Sequence, residues 1–197
     1  MEQPTFDTFY TLGGEAEALY KDKGSKFLAY GYPVTCEEEI KGRLDALRKR
    51  YYDATHHCYA WRLGPKGESF RAVDDGEPSS TGRPILGQML SREVTDALIV
   101  VVRYFGGTKL GVPGLIEAYK RSAALVLENA EIEQRTVDVQ TTIRFSYLAM
   151  NDVMRIVKEL QPQIIAQQFD NLCTMTLAIR LDRLSKVEGL ELETDDQ

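Results

Sequence analysis

The stretch "YFGGTKLGVPGL", Tyr104 to Leu115, gathers residue types suited to holding an anion. Tyr104, Gly106, Gly107, Lys109 and Gly111 lie between the apolar run "ALIVVV" and a long segment with helical apolar spacing. A strand, a glycine loop and a helix in that order expose unpaired N–H groups and a partial positive charge at the helix start, here near Gly114. Glycines admit a phosphate close to the backbone, and Lys109 could neutralise it. The stretch is not G-x-x-x-x-G-K-[ST], because the lysine precedes Gly111, and it is not G-x-G-x-x-G. The same residues also read as a tight strand-to-helix turn with Gly106, Gly107 and Gly111 at positive φ.

Two other stretches carry titratable groups. In "THHCYAWR" adjacent residues of a strand face opposite ways, so His56 falls with Cys58, Ala60 and Arg62, and His57 with Tyr59 and Trp61. A Cys58–His56 nucleophile pair is conceivable, because a histidine lowers a thiol pKa, but Cys58 beside Ala60 also reads as core packing. Two histidines without a matched carboxylate spacing specify no metal site. In "VDDGEPSSTG", Asp74, Asp75 and Glu77 could bind a cation or act as a general base. Alternatively they cap local turns and the helix that follows. If Arg103 lies near these acids, it pairs with them more naturally than with a ligand. From Arg62 to Arg121, a segment that includes Lys120, nine basic residues stand against seven acidic ones. A solvated mixed-charge surface explains that slight excess equally well.

The elements that must position these groups follow from pattern. "TFYTLGGEAEALYKDKGSKFLAYGYPV" reads as two strands around a polar, glycine-containing connection. "TCEEEIKGRLDALRKRYY" is an amphipathic helix with Thr35 as N-cap, Glu38 three residues later, acids in the first turn and Arg48, Lys49 and Arg50 in the last. "THHCYAWRL" and "SFRAVDD" are strands joined by the turn "GPKGE", and "DDGEPSSTGRP" is a loop. "PILGQMLSREV" is a short helix with Pro84 in its first turn, and "ALIVVVRYF" is a strand covered on both faces. "GLIEAYKRSAALVLENA" is a helix whose stripe is Leu115, Ala118, Tyr119, Ser122 and Val126. After Ala130 the pattern is β-α-β-β: "RTVDVQTTIRFSYL", the capped helix "NDVMRIVKELQ", and a hairpin of "PQIIAQQF" and "NLCTMTLAIRL" across Asp170-Asn171. "DRLSKVEGL" begins one more helix before an acidic tail. The expected domains are residues 1–131 and 136–197.

Composition sets the class. With 43% hydrophobic and 27% charged residues the chain can bury a core. No run approaches eighteen apolar residues, and "MEQPTFDTFY" has neither a basic n-region nor an apolar h-region, which argues against a membrane span or a secretory signal. Three widely spaced cysteines, Cys36, Cys58 and Cys173, form no disulfide framework and read as reduced cytoplasmic thiols. A net charge of −6 does not advertise a polyanion partner, so any nucleic-acid contact must be a local patch.

"DATHHCYAWRLG", "RAVDDGEPSSTGRPILGQML" and "ALIVVVRYFGGTKLGVPGLIEAYKRSA" together resemble the IMPACT family in its bacterial YigZ-like branch. The matching motifs are A-x-H at Ala54 to His56, D-D-G-E-P at Asp74 to Pro78, and V-R-Y-F-G-G-x-x-L-G at Val102 to Gly111. The resemblance implies a two-domain α+β protein. Its N-terminal domain would have the fold shared by a ribosomal protein domain, domain IV of elongation factor G and the GHMP kinases. Its C-terminal domain would be ferredoxin-like, as in the last domain of elongation factor G, although a final strand is not legible here. The resemblance further implies contact with RNA or the ribosome and a role linked to translation. The kinase pathway of eukaryotic members, which carry a different partner domain, is not carried over. The site it implies comprises His56, Asp74, Asp75, Glu77, Arg103, Tyr104, Gly106, Gly107, Lys109, Gly111 and Lys120, with no cofactor. An enzyme acting on a small phosphorylated or peptide-like ligand is the competing reading, but the sequence shows no nucleophile with a matched base and orienter. A protein-interaction adaptor is the third.

Overall fold

The computed structural model describes residues 7–78, 80–170 and 172–188, and places them in two α+β units. One unit spans Phe9–Arg135; the other runs from Thr136 and includes Asp7 and Thr8.

The larger unit is organised around β6 (Ala97–Tyr104), whose "ALIVVV" run is fully buried. Its neighbours are β3 (Ser25–Pro33) and β4 (His56–Leu63), and the edges are β2 (Ala16–Asp22) and β5 (Ser69–Val73), giving the order β2-β3-β6-β4-β5. Every pairing in this sheet is antiparallel. Strand alternation sorts the side chains between two cores. Phe27, Ala29, Cys58, Ala60, Ile99 and Val101 face the helices α2 (Gly82–Ser91) and α3 (Gly111–Asn129). Tyr30, Tyr32, Tyr59, Trp61, Val100 and Val102 face α1 (Glu37–Arg50). A helix layer on each face is why β6 shows no polar alternation.

The amino-terminal region differs from the sequence expectation. It holds three strands, β1 (Thr8–Leu12), β2 and β3, because the polar connection is itself the edge strand "AEALYKD". Its hairpin turns on Lys23 (φ 45°) and Gly24 (φ 79°), the positive-φ pair of a primed two-residue turn. Strand β1 instead pairs with β7 (Ile132–Thr136) in a separate two-stranded sheet. Helix α1 has Cys36, not Thr35, at its N-cap position, and Thr35 bonds Glu39 through its N–H (2.7 Å) and hydroxyl (3.3 Å), where Glu38 was expected. Helix α3 starts at Gly111, three residues ahead of Gly114.

The strand expected over "RTVDVQTTIRFSYL" is broken where the larger unit gives way to the smaller one. β7 ends at Thr136 and β8 (Asp138–Ser146) begins after Val137, whose N–H donates to Asp7 O (2.7 Å) and whose carbonyl accepts from Leu181 N–H (2.8 Å). β8 pairs with β10 (Leu172–Arg180), which pairs with β9 (Gln163–Gln168), in the order β8-β10-β9. Helices α4 (Met150–Leu160) and α5 (Leu184–Glu188) supply Val153, Leu160, Leu184 and Val187 to a core of Ile143, Phe145, Cys173, Met175, Leu177 and Ile179. Helix α4 has Ala149 at its N-cap position and no side-chain cap, against the capped start expected. Of the hairpin turn, Asn171 lies outside the described residues, as do Ser79 and the acidic tail. Among the described residues no helix is long and apolar enough to cross a membrane.

Candidate functional site

Antiparallel register brings the first two site residues together. Arg103, near the end of β6, is paired with His56 at the start of β4 on one side and with Phe27 of β3 on the other, so all three share the face toward α3. The third arrives from the loop after β5. There Asp75 (φ 47°) and Gly76 (φ 78°) make a left-handed turn, closed by the bond from Glu77 N–H to Asp74 O at 3.0 Å. That turn swings Glu77 inward until its side chain is 1% exposed.

The three acids of the loop therefore have three roles. Asp74 accepts Gly82 N–H at 2.7 Å and holds the start of α2. Asp75 accepts His57 N–H at 2.7 Å through its carboxylate, and its carbonyl lies 2.8 Å from His56 Nδ1. Glu77 forms a buried ion pair with Arg103 and accepts the Tyr119 hydroxyl at 2.8 Å. Tyr119 was read only as part of the helix stripe. A fully buried tyrosine needs a partner for its hydroxyl, and that requirement is the signal that could have found it.

The histidine tautomer follows from these contacts. A carbonyl only accepts, so His56 Nδ1 carries the proton it shares with Asp75, and Nε2 is left 3.8 Å from Glu77 Oε2. His57, on the opposite face, has no hydrogen-bond partner for its buried Nε2 among the described residues. Burial lowers its pKa, with Asp75 opposing the shift. Cys58 lies in the core on the His56 side, where its thiol donates to Asp74 O (3.0 Å) and accepts from the Thr81 hydroxyl (3.2 Å). Burial pushes its pKa up to about 12, and burial raises that of Tyr119 as well. Neither is an ionised nucleophile near neutral pH.

His56, Glu77 and Arg103 open onto a cleft of about 350 Å³ that Thr55, Pro78, Phe105, Lys109, Leu110, Gly111, Val112 and Leu115 complete. Phe105 is 48% exposed and Val112 is 50% exposed at this site. The loop is tied down at its base, since Thr55 N–H donates to Arg103 O (2.8 Å) and Phe105 N–H to the Thr55 hydroxyl (3.2 Å).

Asp74, Asp75, Tyr104 and Lys120 are placed outside the cleft lining. Asp74 and Asp75 brace the floor from behind without lining the cleft. Tyr104 faces the α1 side and donates to Asp53 at 2.7 Å, a bond that pushes its pKa up to about 12. Lys120 is exposed along α3, outside the cleft lining. Gly107 (φ 87°) and Gly111 (φ 74°) are left-handed as expected, but Gly106 is not. A Cβ on Gly106 would stand 1.9 Å from Gly24 C and 2.1 Å from Ser25 N, so glycine is required there by close approach of two backbones. Among the described residues no group of three or more His, Cys, Asp or Glu is placed to hold a metal ion.

Comparison with known proteins places this architecture. Residues 23–127 match the Impact N-terminal domain, a stretch that contains every cleft residue. The chain is 35% identical over 129 residues to the IMPACT family member YvyE of Bacillus subtilis (strain 168), covering 65% of this chain and 59% of that protein. It is 29% identical over 160 residues to the IMPACT family member YigZ of Escherichia coli (strain K12), covering 80% and 78%. The crystal structure of a hypothetical protein superposes with a TM-score of 0.74 at 25% identity, covering 93% of this chain and 90% of that one.

Proposed function

Because this chain belongs to the IMPACT family, in its bacterial YigZ-like branch, we propose that it is a regulatory factor linked to translation whose larger unit binds RNA, free or on the ribosome. The cleft carries this reading. It joins the N-terminus of α3, the exposed Lys109 and the half-exposed ring of Phe105 on a surface that is otherwise mildly acidic. Free N–H groups and a lysine attract phosphate, and an exposed aromatic ring gives a base something to stack on. In the same reading the larger unit has the fold of the ribosomal protein domain and elongation factor G domain IV, and the smaller one is ferredoxin-like. The β-α-β-β order with the last strand central supports the second assignment.

An enzyme reading finds no side-chain hydrogen bond from a nucleophile to His56 among the described residues. Cys58 is buried in the core, and among the described residues the hydroxyl that lines the cleft is that of Thr55, which accepts from Phe105 N–H. The test is titration of the purified chain with structured RNA and with ribosomal subunits at two salt concentrations. Affinity is expected to fall with salt, at a log–log slope of roughly −0.7 to −0.9 per neutralised phosphate. Absence of binding to both at low salt contradicts the reading.

A further inference from the structure

We propose that the cleft at the start of α3 takes a single nucleotide, with its phosphate at the helix N-terminus beside Lys109 and its base against Phe105. The edge of the base meets the floor made by His56, Glu77 and Arg103. The proposal rests on the reading of this cleft as an anion site and specifies what occupies it.

Four observations converge. First, at about 350 Å³ the cleft has the size of a small-molecule pocket, large enough for one nucleotide and too small for a folded helix. Second, the walls are apolar. Pro78, Phe105, Leu110, Val112 and Leu115 would gain nothing from a bare phosphate but are covered by a flat ring. Third, the floor holds a guanidinium fixed in place. Arg103, with a side chain only 6% exposed, spends one arm on Glu77, while its Nε is buried with no hydrogen-bond partner among the described residues. Its guanidinium sits 5.5 Å from the Phe27 ring centroid and 5.7 Å from that of Phe105, which fixes the charge beside the ring a base would stack on. His56, whose Nε2 lies 3.8 Å from Glu77, also lines the cleft and adds a polar contact. Fourth, the charge suits one phosphate. Arg103 and Glu77 cancel, which leaves Lys109 and the α3 N-terminus as the positive end.

The nucleotide has two sources, a free nucleoside monophosphate or one residue of a single strand. A paired base inside a duplex cannot present its edge to the floor. The experiment is calorimetric titration with the four nucleoside 5′-monophosphates, inorganic phosphate, a single-stranded pentanucleotide and an RNA duplex, using wild type, Phe105→Ala and Lys109→Ala. Phe105 is half exposed, so its variant is expected to fold with a modest drop in melting temperature, which is measured beside binding. The expected result is binding of a monophosphate, the pentanucleotide or both, weakened about fivefold or more by Phe105→Ala. Binding of monophosphates identifies a free nucleotide as a sufficient ligand; binding of the pentanucleotide alone identifies a strand. Inorganic phosphate binding as tightly as any nucleotide overturns the proposal, as does a Phe105→Ala variant with unchanged affinity. If duplex RNA or ribosomal subunits bind while monophosphates and pentanucleotide do not, the nucleotide pocket fails and the RNA reading stands. If a monophosphate binds and no RNA does, the RNA reading fails and the pocket stands.

Discussion

The two faces of the five-stranded sheet bury polar groups in different ways, and the neighbours His56 and His57 show the contrast at one position. Toward α3, His56 joins a network in which Arg103 and Tyr119 both serve Glu77, and the network opens onto a cleft. Toward α1, His57 lies 8% exposed among aromatic residues, with one ring nitrogen unpartnered among the described residues. The first face keeps charged groups buried by pairing them, beside the cleft. The second lowers the pKa of its histidine by burial, against the pull of the Asp75 carboxylate 3.9 Å from His57 Nδ1. Charge on one face is therefore held by a buried ion pair, whereas on the other burial disfavours a charged imidazole.

The largest expected effect breaks the first face. Arg103→Ala leaves Glu77 buried without its cation, and loss of one partner of such a pair costs about 3–5 kcal/mol. Thermal melting should fall well below wild type; an unchanged melting temperature would show that Glu77 is not held by this pair. Next comes the loop that frames the cleft. Gly106→Ala forces a Cβ against the backbone of Gly24 and Ser25, which cannot yield as a side chain could, so about 1–3 kcal/mol is expected from denaturant titration. Full stability in that variant would mean that the two backbones separate freely.

The second face is sharpened by pH. The His57 pKa is lowered by burial from its ordinary value of 6.5, so the unfolded chain binds the proton more readily. Its contribution is complete above pH 6.5 and is lost as pH falls through that value toward the lower folded one. Denaturant titrations at pH 7.5 and pH 5 should show a stability loss in wild type that is smaller in His57→Leu. Equal losses in both would remove His57 from the account.

These contrasts were only partly legible in the sequence. The run "ALIVVV" announced a strand covered on both faces, and the alternation of "THHCYAWR" correctly separated His56 with Cys58 and Ala60 from His57 with Tyr59 and Trp61. The stripe from Leu115 to Val126 announced α3. Strand β2 was missed because an edge strand with one face in water carries charges at alternate positions and resembles a loop. The break at Val137 was invisible because its partners, Asp7 and Leu181, are distant in sequence. The three acids after Val73 looked equivalent, and only the left-handed turn at Asp75 and Gly76 sends Glu77 alone into the core. Gly106 was assigned a positive φ when its constraint is a neighbouring backbone, which no local pattern encodes.

The smallest expected effect on stability tests the central claim most directly. Lys109 is exposed on the loop, so Lys109→Ala should change stability by no more than about 0.5 kcal/mol. A salt series of RNA titrations, run in parallel on wild type and Lys109→Ala, measures both affinity and charge at the cleft. The account predicts weaker binding by the variant at every salt concentration and a log–log salt dependence smaller by about one charge. Identical affinity and identical slope in the two proteins would contradict it, and the glycines around Lys109 would then serve the turn alone.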